Sequence, residues 1–381
     1  MKYLNAEILK ERIEKSAREN ISSGRVSGLS ALVYQDGKVL YRNCFGVMKV
    51  GESEPVKEDT IYRIMSMTKP ITAVAILILI ERGLLSLDTP IEKYIPEFAE
   101  QYIGKLDESG EIKRVGKANA KITVLHLLTH TSGIGSRPLW ATQYPTLTDY
   151  DKSSLENIIN AYSKMELAFE PATATSYSAT AAFAILGRIV ELITGEHYDD
   201  FLKKNLFEPC QMYDTTFEPS AEQFARMITE HNFVDEKPVA VKSIEGCVTR
   251  DVPPTTNLGG SGLISTLDDY ANFAKMLLDG GIFNGKRIIS EESVKLMATP
   301  HVSEEIQPGA ARWGLSVRII VGENRRPVGT YGWSGAYGTH FWVDPENKIF
   351  AVYMKNSHFD GGSGAKTSAQ FETDVYSALE N

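Results

Sequence analysis

The sequence predicts an α/β (α+β) fold. One antiparallel sheet is built from both chain termini and flanked by helices, and an inserted, mostly helical region lies between them. Three observations predict it. "GLSALVYQDGKVLYRNCFGVMKV" alternates apolar and polar residues on either side of Asp36-Gly37, which is a strand–turn–strand signal. "GTHFWVDPENKIFAVYMKN" gives a second hairpin near the C-terminus, turning at Asp344-Pro345. Between these ends the periodicity is mostly helical.

In chain order, "MKYLNAEILKERIEKSAREN" reads as an amphipathic helix ahead of the first hairpin. "ATAAFAILGRIVELITG" has helical spacing and a closing Gly195. "TLDDYANFAKMLLDGG" has Thr266 as its N-cap and Gly280 as its stop. The stretches 132–152 and 232–258 are loop-rich, which makes them candidates for lining a pocket. The expected division is a discontinuous α/β domain from residues 1–85 and 259–381 and a mostly helical domain from 86–258. The site is expected between the two.

The 381 residues are 43% hydrophobic and 23% charged, which is ordinary for a soluble globular chain with ample core. A net charge of −9 without runs of lysine or arginine argues against nucleic acid or an anionic membrane as partner. The N-terminal stretch lacks the apolar core of a signal peptide. The longest apolar run, "ITAVAILILI", has 10 residues and is too short to span a bilayer. Cysteines 44, 210 and 247 are scattered, and the expectation is reduced thiols in a cytoplasmic protein.

One stretch carries chemistry. "RIMSMTKPITAV" places Ser66 three residues before Lys69, and "ITAVAILILIERGLL" follows. A serine hydroxyl is a poor nucleophile at neutral pH and needs a base beside it. Residues i and i+3 share a helix face, so Lys69 can reach Ser66. Desolvation or a neighbouring cation lowers a lysine pKa and fits it for proton transfer. The helix N-terminus presents free N–H groups that suit an oxyanion. Pro70 does no harm there, because first-turn N–H groups have no helical partner. The apolar run would bury the helix and hold the pair rigid. A second S-x-x-K, Ser363–Lys366, lies in a glycine-rich stretch with no apolar helix behind it.

Further segments follow in order. They are "YRIMSMTKPITAVAILILIERGLLSLDTPIEKYIPEF", "LLTHTSGI", "SYSATAAFAILGRIVELITG", "GGSGLISTLDDYANFAKMLLDGG" and "YGWSGAYGTHFWVDPENKIFAVYM". Together they resemble the class C β-lactamase and penicillin-binding-protein-like serine hydrolases, most nearly the family VIII carboxylesterases, over roughly residues 20–378. The resemblance implies a β-lactamase/transpeptidase-like fold, no cofactor and no metal. It implies Ser66 as nucleophile and Lys69 as its lysine. Tyr177 matches the tyrosine of the second motif, which takes the Ser66 proton and later activates water. A phenol ordinarily titrates near 10, so that role implies a lysine ammonium close by. "WSG", Trp333–Ser334–Gly335, matches the third motif and supplies substrate contacts. The N–H groups of Ser66 and Ala336 match the oxyanion hole.

Two positions depart from the enzymes that act on penicillins. Trp333 stands where they place lysine, and Ala179 stands where class C β-lactamases have asparagine. An indole cannot bind a carboxylate as a cation does, and alanine offers no amide. Both shift the expectation towards neutral, short-acyl esters, with Trp333 and the 132–152 loop (Trp140, Tyr144) crowding the pocket. An amide-cleaving activity, an acyltransferase and a non-catalytic relative are the alternatives.

Other patterns have simpler readings. "YGWSGAYG" approaches a G-x-S-x-G elbow at Ser334, with Asp344 and His358 downstream, but it precedes a hairpin rather than a helix. His126 and His130 have a zinc-like i, i+4 spacing without the glutamate of H-E-x-x-H. The pairs Asp199-Asp200 and Asp268-Asp269 read as solvated faces or caps.

Overall fold

The computed structural model describes residues 1–235, 237–241, 258–362 and 364–380. Its main sheet has seven strands, labelled here in chain order: β1 Gly28–Gln35, β2 Lys38–Gly46, β3 Ala311–Trp313, β4 Arg318–Ile320, β5 Tyr331–Ser334, β6 His340–Asp344 and β7 Ile349–Lys355. They lie in the order β3-β4-β5-β6-β7-β1-β2. Every pairing is antiparallel, and β7 beside β1 joins the two chain ends. Asp36 (φ 43°) and Gly37 (φ 91°) make the tight turn of the first hairpin. Both residues favour the left-handed region, as a two-residue hairpin needs.

The stretch that holds β1 alternates apolar and polar residues, yet all eight residues of β1 are buried. The reason is that helices cover both faces. Leu29, Ala31 and Val33 pack with Leu9 and Ile13 of the helix Ala6–Ser22 and with Phe371 of the helix Lys366–Tyr376. Leu32 and Tyr34 belong to the larger core, with Phe341, Val352 and the helix Leu267–Leu278. Caps fall where the sequence puts them. Thr266 Oγ1 accepts from Asp269 N–H at 3.2 Å, and Gly195 closes the helix Ala181–Thr194 at φ 71°.

The middle region also holds two hairpins, Tyr102–Leu106 with Ile112–Lys117, which the helical signals hid, and His231–Val234 with Lys237–Ala240, in a stretch expected to be loop. Among the described residues, no helix is long and apolar enough to cross a membrane. Cys44 is a half-buried free thiol and Cys210 a buried one, whereas Cys247 lies outside the described residues.

The helix Thr68–Glu81 runs through the centre. Every residue from Thr68 to Leu79 is buried. A helix apolar on all sides is stable only when surrounded, and this one packs against Ala181–Thr194 within the larger core. A short strand, Ile61–Arg63, pairs with Ile264–Thr266 and delivers the chain to its N-terminus. The chain therefore enters this helix from a rigid support.

Candidate active site

Ser66 sits in the single 3-10 turn Met65–Met67, directly before that helix. Met65 holds φ 48°, a left-handed conformation that costs a side-chain-bearing residue about 1 kcal/mol or more. Lys69, one turn on, is completely buried. Its Nζ donates to Ser66 Oγ at 3.3 Å, to the Ala179 carbonyl at 2.6 Å and to the Gly260 carbonyl at 2.7 Å. Burial pushes the Lys69 pKa down, and Tyr177 beside it pulls the other way. Its Nζ lies 4.9 Å from the centre of the Tyr177 ring.

Ala179 has no side-chain amide to offer Lys69, but its backbone carbonyl supplies an acceptor in the amide's place. Gly260 packs closely against the first acceptor, since a Cβ there would meet the Ala179 oxygen at 3.0 Å.

The "HTSG" turn holds Tyr177. His130 Nδ1 accepts from Ser178 N–H at 3.1 Å, and its carbonyl accepts from Ser176 N–H at 3.1 Å. Its ring lies 4.7 Å from the Tyr177 ring. Burial first, then the Lys69 and Arg318 cations, keep the His130 pKa far below its ordinary range. His126 Nδ1 instead accepts from Thr123 N–H and caps its own helix, so the i, i+4 histidines serve separate local ends.

Trp333 closes the opposite wall. It is 7% exposed, and its Nε1–H points at the Tyr177 hydroxyl oxygen at 3.4 Å. Ser66, Tyr177, Trp333, Ser334 and Ala336 line one cavity of about 420 Å³. Among the backbone hydrogen bonds of the described residues, neither the Ser66 nor the Ala336 N–H is a donor. Gly335 brings the strand against the turn that carries Ser66. A Cβ there would stand 2.1 Å from Thr339 Oγ1 and 2.4 Å from the Ile64 carbonyl. Thr339 Oγ1 in turn donates to that same carbonyl at 3.1 Å.

Several sequence expectations change here. The 132–152 loop contributes nothing to the cavity lining. Trp140 packs against Tyr144 and Tyr162, with ring centres 4.8 and 5.5 Å away, because a loop rich in large rings can bury them in its own cluster. The aromatic wall comes instead from Trp313, which lies 4.6 Å from Trp333 between ring centres and went unnoticed in the sequence.

Arg318 was missed as well. It lines the cavity from β4, its guanidinium 5.2 Å from the Trp313 ring, and it donates to the Ala311 carbonyl at 2.8 Å. Gly332, next to Trp333, is its cross-strand neighbour. The tryptophan therefore does not leave the cavity without a cation. The elbow reading of Ser334 dissolves too: Asp344 accepts from Asn347 and Tyr376, and His358 meets Glu230. The 232–258 stretch and Ser363 lie largely or wholly outside the described residues.

A family model described as Beta-lactamase matches residues 8–371. The chain belongs to the Beta-lactamase family. It is 32% identical over 362 residues to protein Rv1367c of Mycobacterium tuberculosis, covering 90% of this chain and 88% of that one. It is 26% identical over 396 residues to esterase EstB of Burkholderia gladioli, covering 96% and 95%. A solved family VIII carboxylesterase superposes with a TM-score of 0.76 at 18% identity, covering 97% and 98%. The resemblance found in the sequence therefore holds, and the molecule is a serine hydrolase of the β-lactamase fold.

Proposed function

We propose that the protein hydrolyses carboxylic esters with short acyl groups through an acyl-enzyme on Ser66. Lys69 Nζ against Ser66 Oγ, at the edge of a cavity walled by Tyr177 and Trp333, carries this reading. The Lys69–Tyr177 pair takes the Ser66 proton as Oγ attacks the ester carbonyl. Lys69 Nζ lies 4.9 Å from the Tyr177 ring, and the two act together as the base. The Ser66 and Ala336 N–H groups receive the oxyanion. Water then releases the acid, and the proton held by the pair returns to Ser66.

Three large rings, Tyr177, Trp313 and Trp333, border a cavity of this size and favour short acyl chains. An esterase stands among the relatives, which supports the ester reading. The test is hydrolysis of p-nitrophenyl butyrate by the wild type and by Ser66→Ala. The wild type should turn over and the variant should lose roughly 10³-fold or more. Near-normal activity in Ser66→Ala would remove the nucleophile from its place at the centre of this reading.

A further inference from the structure

Ser334 has a second set of partners that this mechanism leaves unused. Its Oγ lies 2.8 Å from Nδ1 of His340, and Nε2 of the same ring lies 2.9 Å from Oε1 of Glu372. Ser334 and His340 are direct cross-strand neighbours on β5 and β6. Glu372 reaches them from the helix Lys366–Tyr376. All three residues are buried, at 6%, 5% and 5% exposure. Arg325 Nε lies 3.2 Å from the other carboxylate oxygen, Oε2, and Arg326 Nε lies 3.0 Å from the Oε1 that faces His340.

Burial pushes the Glu372 carboxyl up, but His340, Arg326 and Arg325 outweigh it and hold its pKa at about 2. An ionised carboxylate only accepts, so Nε2 of His340 carries a proton. Nδ1 then either takes a proton from Ser334 or, in the imidazolium, gives one to it. This hydroxyl–imidazole–carboxylate chain has the order of a proton relay. Ser334 lines the same cavity as Ser66 and Ala336, and with His340 and Glu372 it also lines a second one.

We propose that Ser334, backed by His340 and Glu372, is the acid that protonates the leaving alkoxide when Ser66 is acylated. The inference rests on the ester-cleaving reading above. Ser66 Oγ bonds the carbonyl carbon as its proton passes to the Lys69–Tyr177 pair. The ester C–O bond then breaks, the alkoxide takes the Ser334 proton, and the His340 ring replaces it from Nδ1, a step that requires the ring to enter the cycle with a proton on both nitrogens. In deacylation the flow reverses. Water bonds the acyl carbon, its proton passes through Ser334 back to His340, and Ser66 Oγ leaves with the proton held by the pair. Removal and delivery of protons are thus assigned to different walls of the cavity. Ser334 is the catalytic residue of this relay; His340 and Glu372 are positioning residues.

The experiment compares kcat/KM for ethyl butyrate and p-nitrophenyl butyrate, both read on the same preparation of each variant. Ethoxide needs a proton to leave, whereas p-nitrophenolate departs without one. Ser334→Ala and His340→Gln should each lower the ethyl to p-nitrophenyl ratio by roughly 10²-fold, the scale of general acid catalysis. Ser334→Thr, which keeps a hydroxyl, should recover most of that loss. Partial misfolding lowers both rates alike and leaves the ratio untouched. A ratio within about 3-fold of wild type in both Ser334→Ala and His340→Gln overturns the relay, whatever the absolute rates. So does a wild type that cleaves only the activated ester. Ser66→Ala separates the two levels: if it keeps either activity, the underlying reading falls and the relay with it. If it is inactive while the ratio stays flat, the relay alone falls.

Discussion

Lys69 donates in three directions, and two of its acceptors are backbone carbonyls from segments 110 and 191 residues away. Removing the ammonium leaves the Ala179 and Gly260 carbonyls without that donor in a dry interior, at roughly 1–3 kcal/mol each. Lys69→Met should therefore lose both activity, by about 10²–10⁴-fold, and several degrees of Tm, which paired kinetics and thermal melts would read. A kinetic defect without a stability defect would show that the carbonyls find other donors. Trp333 makes a subtler case. Trp333→Phe keeps most of the ring area but deletes the Nε1–H that faces the Tyr177 oxygen. One neutral hydrogen bond is worth about 1 kcal/mol, so kcat for p-nitrophenyl butyrate should fall about 3- to 10-fold. An unchanged kcat would leave the indole only a wall. Ser66 and Lys69 were legible because their relation is local, one helical turn apart. Tyr177 was legible only through the ordered set of motifs around it. Trp313, Arg318 and the His340–Glu372 pair were not, because strand register and helix packing bring them to the cavity and neither is written in local spacing.

At the scale of elements, sequence reading did best where a short pattern fixes a backbone. Asp36-Gly37, Thr266 and Gly195 each do so through a turn or a cap. It did worst where burial depends on what lands on a face: the stretch that holds β1 alternates apolar and polar residues, and β1 is dry on both sides. The hairpin Tyr102–Leu106 with Ile112–Lys117 was lost among helical signals because its second strand is almost wholly exposed and shows no apolar alternation. The C-terminal helix gives this scale its prediction. The Glu372 carboxyl titrates at about 2 in the folded protein against an ordinary 4.5. A depressed carboxyl contributes stability above the unfolded pKa and loses it as the pH falls through the folded one. The wild-type Tm should therefore hold above about pH 5 and drop as the pH falls towards 3. Glu372→Gln should start lower and drop less, so the two curves converge in acid. Parallel curves from pH 6 to pH 3 would take Glu372 out of the acid sensitivity.

At the scale of the whole molecule, two distant parts of the chain come together at the site, and they pack most tightly at a glycine. The turn Met65–Met67 belongs to the buried central helix, and β5 belongs to the sheet that both termini build. Gly335 is where they meet, and the contact is closer than any side chain allows: 2.4 Å from a built Cβ to the Ile64 carbonyl, 2.1 Å to Thr339 Oγ1. The carbonyl belongs to the turn's own N-cap and is also the acceptor for Met67 N–H, so it cannot move without moving Ser66. Gly335→Ala must then push the strand and the turn apart by roughly 0.6 Å or more, since a carbon and a carbonyl oxygen rest no closer than about 3 Å. Most of the core would be unaffected, because the sheet's register and the central helix's packing lie elsewhere. The geometry between Ser66 and the Ala336 N–H would not survive, and a misplacement of about 1 Å at a reacting centre costs on the order of 10²-fold. The expected result is a Tm lowered by only a few degrees beside a kcat/KM for p-nitrophenyl butyrate lowered about 100-fold or more. A variant that melts far earlier while its remaining folded fraction works normally would mean that this junction holds the fold together and does not set the chemistry.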